Sequence, residues 1–196
     1  QFETGVPSTI CLSHREDVDG LSSAALVKSA FKECYVILLD YSNLIRHLKR
    51  LSFLISSSTE AARTASSARE GSKATASRGA GDDDGEDDSA GGGGGGKAIS
   101  IKQSRRNKRL IICDLGLNKK NESAFVEVLG EIVSNGYKVE YIDHHDVGEE
   151  IKAELRKVGV TLVHSTEECT SVQVYQRYKN KLNSYSSFYA AAGALT

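Results

Sequence analysis

Methionine is missing from this chain of 196 residues, even from position 1, and tryptophan is missing with it. From the absent initiator, a trimmed or fragmentary chain is the expectation. Long apolar runs are missing too: no window approaches the roughly 20 residues of a membrane span, so no membrane partner is expected. The opening residues QFETGVPS have neither the basic start nor the apolar core of a secretory signal. The expected compartment is intracellular, cytoplasmic or nuclear. Cys11, Cys34, Cys113 and Cys169 are too widely spaced for a CxxC zinc signature. The first three fall in strand-like runs and read as small buried thiols. Cys169, in EECTS at a helix start, occupies a place that can activate a thiol, but it too reads as structural.

Large apolar residues are nearly absent from one long stretch, residues 56–97, which includes DDDGEDD and six consecutive glycines. Such a composition cannot bury enough surface to offset its ordering entropy. It is therefore expected to be a disordered low-complexity insertion within a single domain formed by residues 1–55 and 98–196. It carries eight acids and five bases, net −3, so the rest of the chain comes to +2. The domain is slightly basic, which suits an anionic ligand. The insertion itself reads as a solvated spacer through which protein partners can attach.

With 39% hydrophobic residues, the chain can bury a real core. STICLSH (8–14) reads as a strand and GLSSAALVKSAFK (20–32) as a helix with Leu21, Ala24, Ala25, Val27 and Ala30 or Phe31 inward. CYVILLD (34–40) is a second strand, followed by a helix over 41–54. Then come the strand RLIICDLG, a helix over about 119–134, the strand KVEYIDHH, a helix over about 148–157, the strand VTLVHS and a helix over about 169–182. This alternation predicts an α/β fold, a parallel five-stranded sheet with helices on both faces. Right-handed crossovers then bring every strand's carboxyl end to one edge, where ligands bind.

That edge collects charge. The first strand ends at His14, with Asp17 and Asp19 just beyond; the third ends at Asp114; the fourth ends at Asp143, His144 and His145. Carboxylates packed this closely repel, and cations are the usual remedy. Mixed carboxylate and imidazole without thiolate suits Mn²⁺, Fe²⁺, Co²⁺ or Zn²⁺ better than Ca²⁺, and several shared acids suit a pair of ions. Two ions roughly 3.5–4 Å apart can neutralise charge on a phosphoryl group during in-line displacement. The chemistry pointed to is phosphoester hydrolysis.

SHREDVDGLSSAAL, IICDLG and YIDHHD resemble the first three motifs of the DHH phosphoesterase superfamily, which includes RecJ-type exonucleases, oligonucleotide and cyclic-dinucleotide phosphodiesterases and manganese-dependent pyrophosphatases. The resemblance covers the chain apart from the insertion. It implies that His14 and Asp17 bind one metal, that Asp19 and His144 bind the other and that Asp114 bridges them. Asp143 would support the site, and His145 would face the substrate phosphate or orient its neighbour. The implied cofactor is two Mn²⁺ ions, with Mg²⁺ or Co²⁺ as substitutes. Two departures accompany it: His14 precedes Asp17 by three positions where many members have HxDxDG, and the chain stops at AAAGALT, before the Asp of a fourth motif. A truncated catalytic domain, impaired as it stands, is the resulting expectation.

Other polar residues take plainer roles. Asp40 reads as a cap for the helix beginning at Tyr41, Gly20 as the point where loop and helix approach closely, and TEECTS (166–171) as a helix cap. Ser22 or Ser23 could donate to a phosphate at the N-terminus of the first helix, though surface hydroxyls are common; His164 ends the fifth strand on the same edge, where it could meet substrate but reads as solvated, and His47 reads as a surface group. The basic run KQSRRNKR (102–109) enters the third strand from the edge opposite the acids, and no aromatic-rich stacking surface accompanies it. The expected partner is single-stranded nucleic acid or a small nucleotide substrate. The alternatives are hydrolysis of pyrophosphate or polyphosphate, and a non-catalytic scaffold of a replication assembly. Retention of the clustered acids counts against the scaffold, because unneeded buried charge destabilises a fold.

Overall fold

The computed structural model describes residues 7–75 and 108–195. Strand β1 (Thr9–His14) is buried along its whole length, and its alternate side chains enter two different cores. Ile10 and Leu12 point to one side of the sheet, Cys11 to the other. Strand β3 (Arg109–Cys113) behaves likewise, with Leu110 and Ile112 on the first side and Ile111 and Cys113 on the second. A strand buried on both faces has to be apolar throughout, which is why RLIIC and TICL carry almost no polar alternation.

With β2 (Cys34–Leu39), β4 (Lys138–Asp143) and β5 (Thr161–His164), these form one parallel sheet in the order β2-β1-β3-β4-β5. Helices α2 (Leu44–Thr75), α3 (Glu122–Ser134) and α4 (Glu149–Lys157) cover the first side through Leu44, Leu48, Ile55, Phe125, Leu129, Ile132 and Leu155. Helices α1 (Val18–Ala30), α5 (Thr170–Tyr178) and α6 (Ser186–Gly193) cover the second through Leu26, Val27, Val174, Tyr178 and Ala190. The expected five-stranded α/β architecture is the observed one. The connections diverge to opposite faces after β1 and β3, opening a crevice between their carboxyl ends.

Several details depart from the sequence reading. Helix α2 does not stop at residue 54 but continues to Thr75, so residues 56–75 of the expected disordered stretch are helical. Once its first turns are anchored in the core, each added residue gains a hydrogen bond for one ordered backbone, and the five alanines of this segment favour helix. Ser57, Ser58 and Thr59 donate to the carbonyls of Phe53, Leu54 and Ile55 at 2.9, 2.8 and 2.9 Å. Residues 76–97 of that stretch, and 102–107 of KQSRRNKR, lie outside the described residues.

In α1 the inward face is made of Ser22, Ser23, Ala24, Leu26 and Val27, whereas Leu21 is 43% exposed. Packing closely on α5 and α6 favours small side chains over the leucine. Helix α6 was not anticipated, and the expected helix over 169–182 ends at Tyr178, followed by a 3₁₀ turn over Lys179–Lys181. The four cysteines are all free, and Cys11, Cys34 and Cys113 are buried as expected. No helix of the described residues is long and apolar enough to cross a membrane.

Candidate metal centre

Beyond β1 the chain turns sharply so that α1 can begin beside the strand it has just left. Asp17 makes the turn, capping α1 by accepting from the Gly20 amide at 2.8 Å, and its other oxygen lies 2.5 Å from His14 Nδ1. Gly20 is needed here: a Cβ would stand 2.4 Å from the His14 carbonyl oxygen. Burial pushes the Asp17 carboxyl up, but the Gly20 amide and the His14 ring outweigh it and hold the carboxyl below its ordinary value. With Nδ1 of His14 turned to that carboxylate, Nε2 is the nitrogen that faces a metal. Nε2 is buried without a hydrogen-bond partner among the described residues.

Asp114, at the end of β3, has φ of 55°, the left-handed region that non-glycine residues rarely occupy. Its amide still continues the ladder to the Ile142 carbonyl at 3.1 Å, so the turn begins at the side chain that matters. Asp114 is 1% exposed. Oδ1 accepts from the Thr170 hydroxyl at 3.1 Å, while Oδ2 has no hydrogen-bond partner among the described residues. Burial, then the charges of Asp19, Asp17 and Asp143, push its carboxyl up to about 8.

The end of β4 supplies the histidines. His144 Nε2 lies 3.4 Å from Asp114 Oδ1 and 3.9 Å from Asp19 Oδ2. His145 turns the other way: its Nδ1 meets Asp143 Oδ1 at 2.9 Å, and Asp143 Oδ2 accepts from the Tyr141 hydroxyl at 2.7 Å. Asp143 is wholly buried, with one oxygen on His145 and the other held by Tyr141. This bond, strengthened by Asp143's charge against the opposing effect of burial, raises the His145 pKa. Gly116 keeps space for the ring, since a Cβ there would come within 2.8 Å of His145 Cγ.

Asp19 has a role that sequence reading did not find. Its two oxygens accept from the amides of Thr170 and Ser171 at 2.8 and 2.7 Å, capping α5 from across the domain. Cys169, at the N-cap position itself, makes no side-chain cap, so the expected local cap in TEECTS is replaced by a distant one. Helix α6 closes over this contact, and at Gly193 a Cβ would stand 2.2 Å from Ser171 Oγ and 2.9 Å from Asp19 Oδ1. Asp40 also differs from expectation: it accepts from the Asn43 side chain at 3.2 Å and pairs with Arg15 at 2.5 Å, without a side-chain cap to the backbone.

Two further residues were missed. The Tyr41 ring stacks on His14 at 4.2 Å between centroids, and its hydroxyl is 3.3 Å from both His14 Nδ1 and His145 Nε2. Burial and the surrounding carboxylates push that hydroxyl above its ordinary pKa, keeping it a donor. His164, read as solvated, places Nε2 2.6 Å from the His145 carbonyl oxygen and so fixes the backbone beyond the histidine pair. Position at a strand's carboxyl end was the only available signal for His164; nothing in the local pattern marked Tyr41. Arg109, in the basic run, pairs instead with Glu140 at 3.2 Å.

His14, Asp17, Asp19, Asp114, His144 and His145 thus meet at one rim, while Asp143 stands behind it. Ligand atoms of His14, Asp17 and Asp114 lie within 4.8 Å of one another, as do those of Asp114, His144 and His145, so Asp114 belongs to both groups. Asp19 is beside the second group through His144 but is engaged by α5. Buried imidazole and carboxylate atoms without a hydrogen-bond partner among the described residues, in a cluster of carboxylates, fit a divalent cation. No curated protein and no solved structure matches the chain. The family described as DHH family, N-terminal domain, matches residues 8–195, and the chain belongs to it.

Proposed function

We propose that the domain is a metal-dependent phosphoesterase that hydrolyses phosphodiester bonds of nucleic acid or short oligonucleotides. The observation that carries this reading is Asp114: a buried carboxylate, held by a left-handed backbone, shared by two ligand groups, whose Oδ2 makes no hydrogen bond among the described residues. His14 and Asp17 would hold one ion, His144 and Asp19 the other, with Asp114 common to both. Mn²⁺ fits this oxygen and nitrogen set, and Mg²⁺ or Co²⁺ would substitute. Bound ions would supply Lewis-acid stabilisation of the charge that develops on the phosphoryl oxygens.

The chain's own residues set the rest. Asp143 fixes His145 with Nδ1 protonated, and Tyr141 fixes Asp143, leaving His145 Nε2 facing the Tyr41 hydroxyl at the open side of the site. The raised pKa of His145 favours its protonated form, whose Nε2 proton can pass to a phosphoryl oxygen or a leaving oxygen. Tyr41 offers a second neutral donor at the same place. Asp19, locked by two amides, keeps its carboxylate oriented without a side-chain search at each turnover.

The test is a hydrolysis panel with Mn²⁺, comparing short RNA, single-stranded DNA, a cyclic dinucleotide and pyrophosphate, on this chain and on one carried further past Thr196. Cleavage of a diester substrate that disappears in Asp114→Asn is the expected result. Cleavage of pyrophosphate alone would replace the proposal with phosphoanhydride hydrolysis; no turnover by either chain would favour a scaffold.

A further inference from the structure

Helix α2 turns one face to the core through Leu44, Leu48 and Ile55. The residues opposite, at helical spacing, are Arg46, Arg50 and Phe53. The two arginines are largely solvent-facing, and Phe53 is 70% exposed. Arg15, Arg109 and Arg177 are each paired with a carboxylate. Arg46 meets the Asn43 side-chain oxygen at 2.7 Å, and no carboxylate among the described residues neutralises Arg46 or Arg50. Together with His47, the two arginines line one surface pocket. Cations one turn apart, followed on the same face by a bare aromatic ring, match what a single strand requires: positive charge for successive phosphates and a flat surface for a base.

The position of this face gives it a direction. Helix α2 follows directly from the turn containing Tyr41, whose hydroxyl touches both His14 and His145. At a rise of roughly 1.5 Å per residue, the way from Tyr41 to Phe53 is about 15–18 Å. Pyrophosphate cannot span it, whereas a strand of several nucleotides can. We infer that the outer face of α2, Arg46, Arg50 and Phe53, is a binding track for single-stranded nucleic acid leading to the rim where Asp114 and the histidines meet. The track rests on the phosphoesterase reading only for the statement that the strand is a substrate; binding along α2 stands without it.

Binding is therefore measured apart from turnover, by fluorescence anisotropy of a labelled single strand of about 12 nucleotides with the full chain in EDTA, over a series of salt concentrations. Replacing both arginines (Arg46→Gln, Arg50→Gln) is expected to weaken binding about tenfold or more and to reduce the slope of log K against log salt by about 1.4, roughly 0.7 for each phosphate that is no longer neutralised. The conservative pair Arg46→Lys, Arg50→Lys is expected to keep the slope. Phe53→Ala is expected to weaken the oligonucleotide roughly fivefold or more, and inorganic polyphosphate by less, because only the former has bases to stack. All of these side chains project into solvent, and melting curves check that each variant remains folded. The inference is overturned if the parent does not bind the strand, if the glutamine pair leaves affinity and slope unchanged, or if polyglutamate competes as well as the oligonucleotide and Phe53→Ala has no effect. Hydrolysis of a small diester, bis-p-nitrophenyl phosphate, with Mn²⁺, by the parent and by a chain carried further past Thr196, reports on the phosphoesterase reading separately. Binding without hydrolysis would sink that reading and leave the track; hydrolysis without strand binding would do the reverse.

Discussion

Asp114→Asn removes one negative charge while keeping shape, the acceptor for Thr170 and a residue type that tolerates positive φ. A carboxyl raised from 3.8 to about 8 corresponds to something on the order of 5 kcal/mol against the ionised form. Burial is the largest cause and the charges of Asp19, Asp17 and Asp143 add to it, so removing the Asp114 charge should recover a part, about 1–3 kcal/mol. In a chain of this size that is about 2–12 °C in melting temperature, and the metal-free variant should melt above the parent at about pH 8.5. The folded-state pKa lies above the unfolded one, so the protonated carboxyl stabilises the fold below about pH 4 and the contribution is lost as pH rises through about 8. The gain from Asn should accordingly be much smaller at about pH 5 and vanish below about pH 4. Metal reverses the order: at a free concentration about one hundred times Kd it stabilises the parent by about 2.7 kcal/mol, or about 5–11 °C, and should leave the variant unmoved. Differential scanning calorimetry at both pH values, with EDTA and with Mn²⁺, reads all of these shifts. A metal-free variant that melts below the parent at the higher pH, or one that shifts as far as the parent with Mn²⁺, would overturn this picture of Asp114.

Gly193→Ala forces a methyl into Ser171 and the Asp19 carboxylate and should cost about 1–3 kcal/mol in urea unfolding; an unchanged midpoint would mean that α6 does not pack against the cap of α5. Asp143→Asn leaves His145 without its charged partner, so the His145 pKa, followed by NMR, should fall relative to the parent, and a constant value would contradict the assigned contact. Tyr41→Phe should change stability by less than about 1 kcal/mol, because the ring can keep its stack on His14, while lowering turnover on a diester substrate; unchanged turnover would remove the hydroxyl from the site.

The sheet and the rim were legible because both depend on local pattern. Uninterrupted apolar runs in TICL and RLIIC announce strands buried on two faces, and each ends in a polar residue that has to emerge at the carboxyl edge. His14, Asp114, His144 and His145 could be placed together from that rule alone. What escaped depends on contacts across the domain. The two amides that Asp19 accepts lie more than 150 positions away in the chain, so a residue legible as a ligand candidate was not legible as a helix cap. Helix α6 hid in FYAAAG because its packing relies on small size and close approach, which leave little periodic signal. The exposure of Leu21 has the same origin. Tyr41 was invisible because a tyrosine after a strand has no distinguishing pattern until the histidine it stacks on is located.

The proposed chemistry depends on Asp114 being the common ligand of two metal ions, one set toward His14 and Asp17 and the other toward His144 and Asp19. Diffraction from crystals grown with Mn²⁺, with anomalous maps at the manganese edge, reads that arrangement without an intermediate step. Two anomalous peaks within coordinating distance of Asp114, one toward each group, are expected. Manganese bound elsewhere, or a fully soaked crystal with Asp114 Oδ2 still without a ligand, would contradict the shared-ligand role.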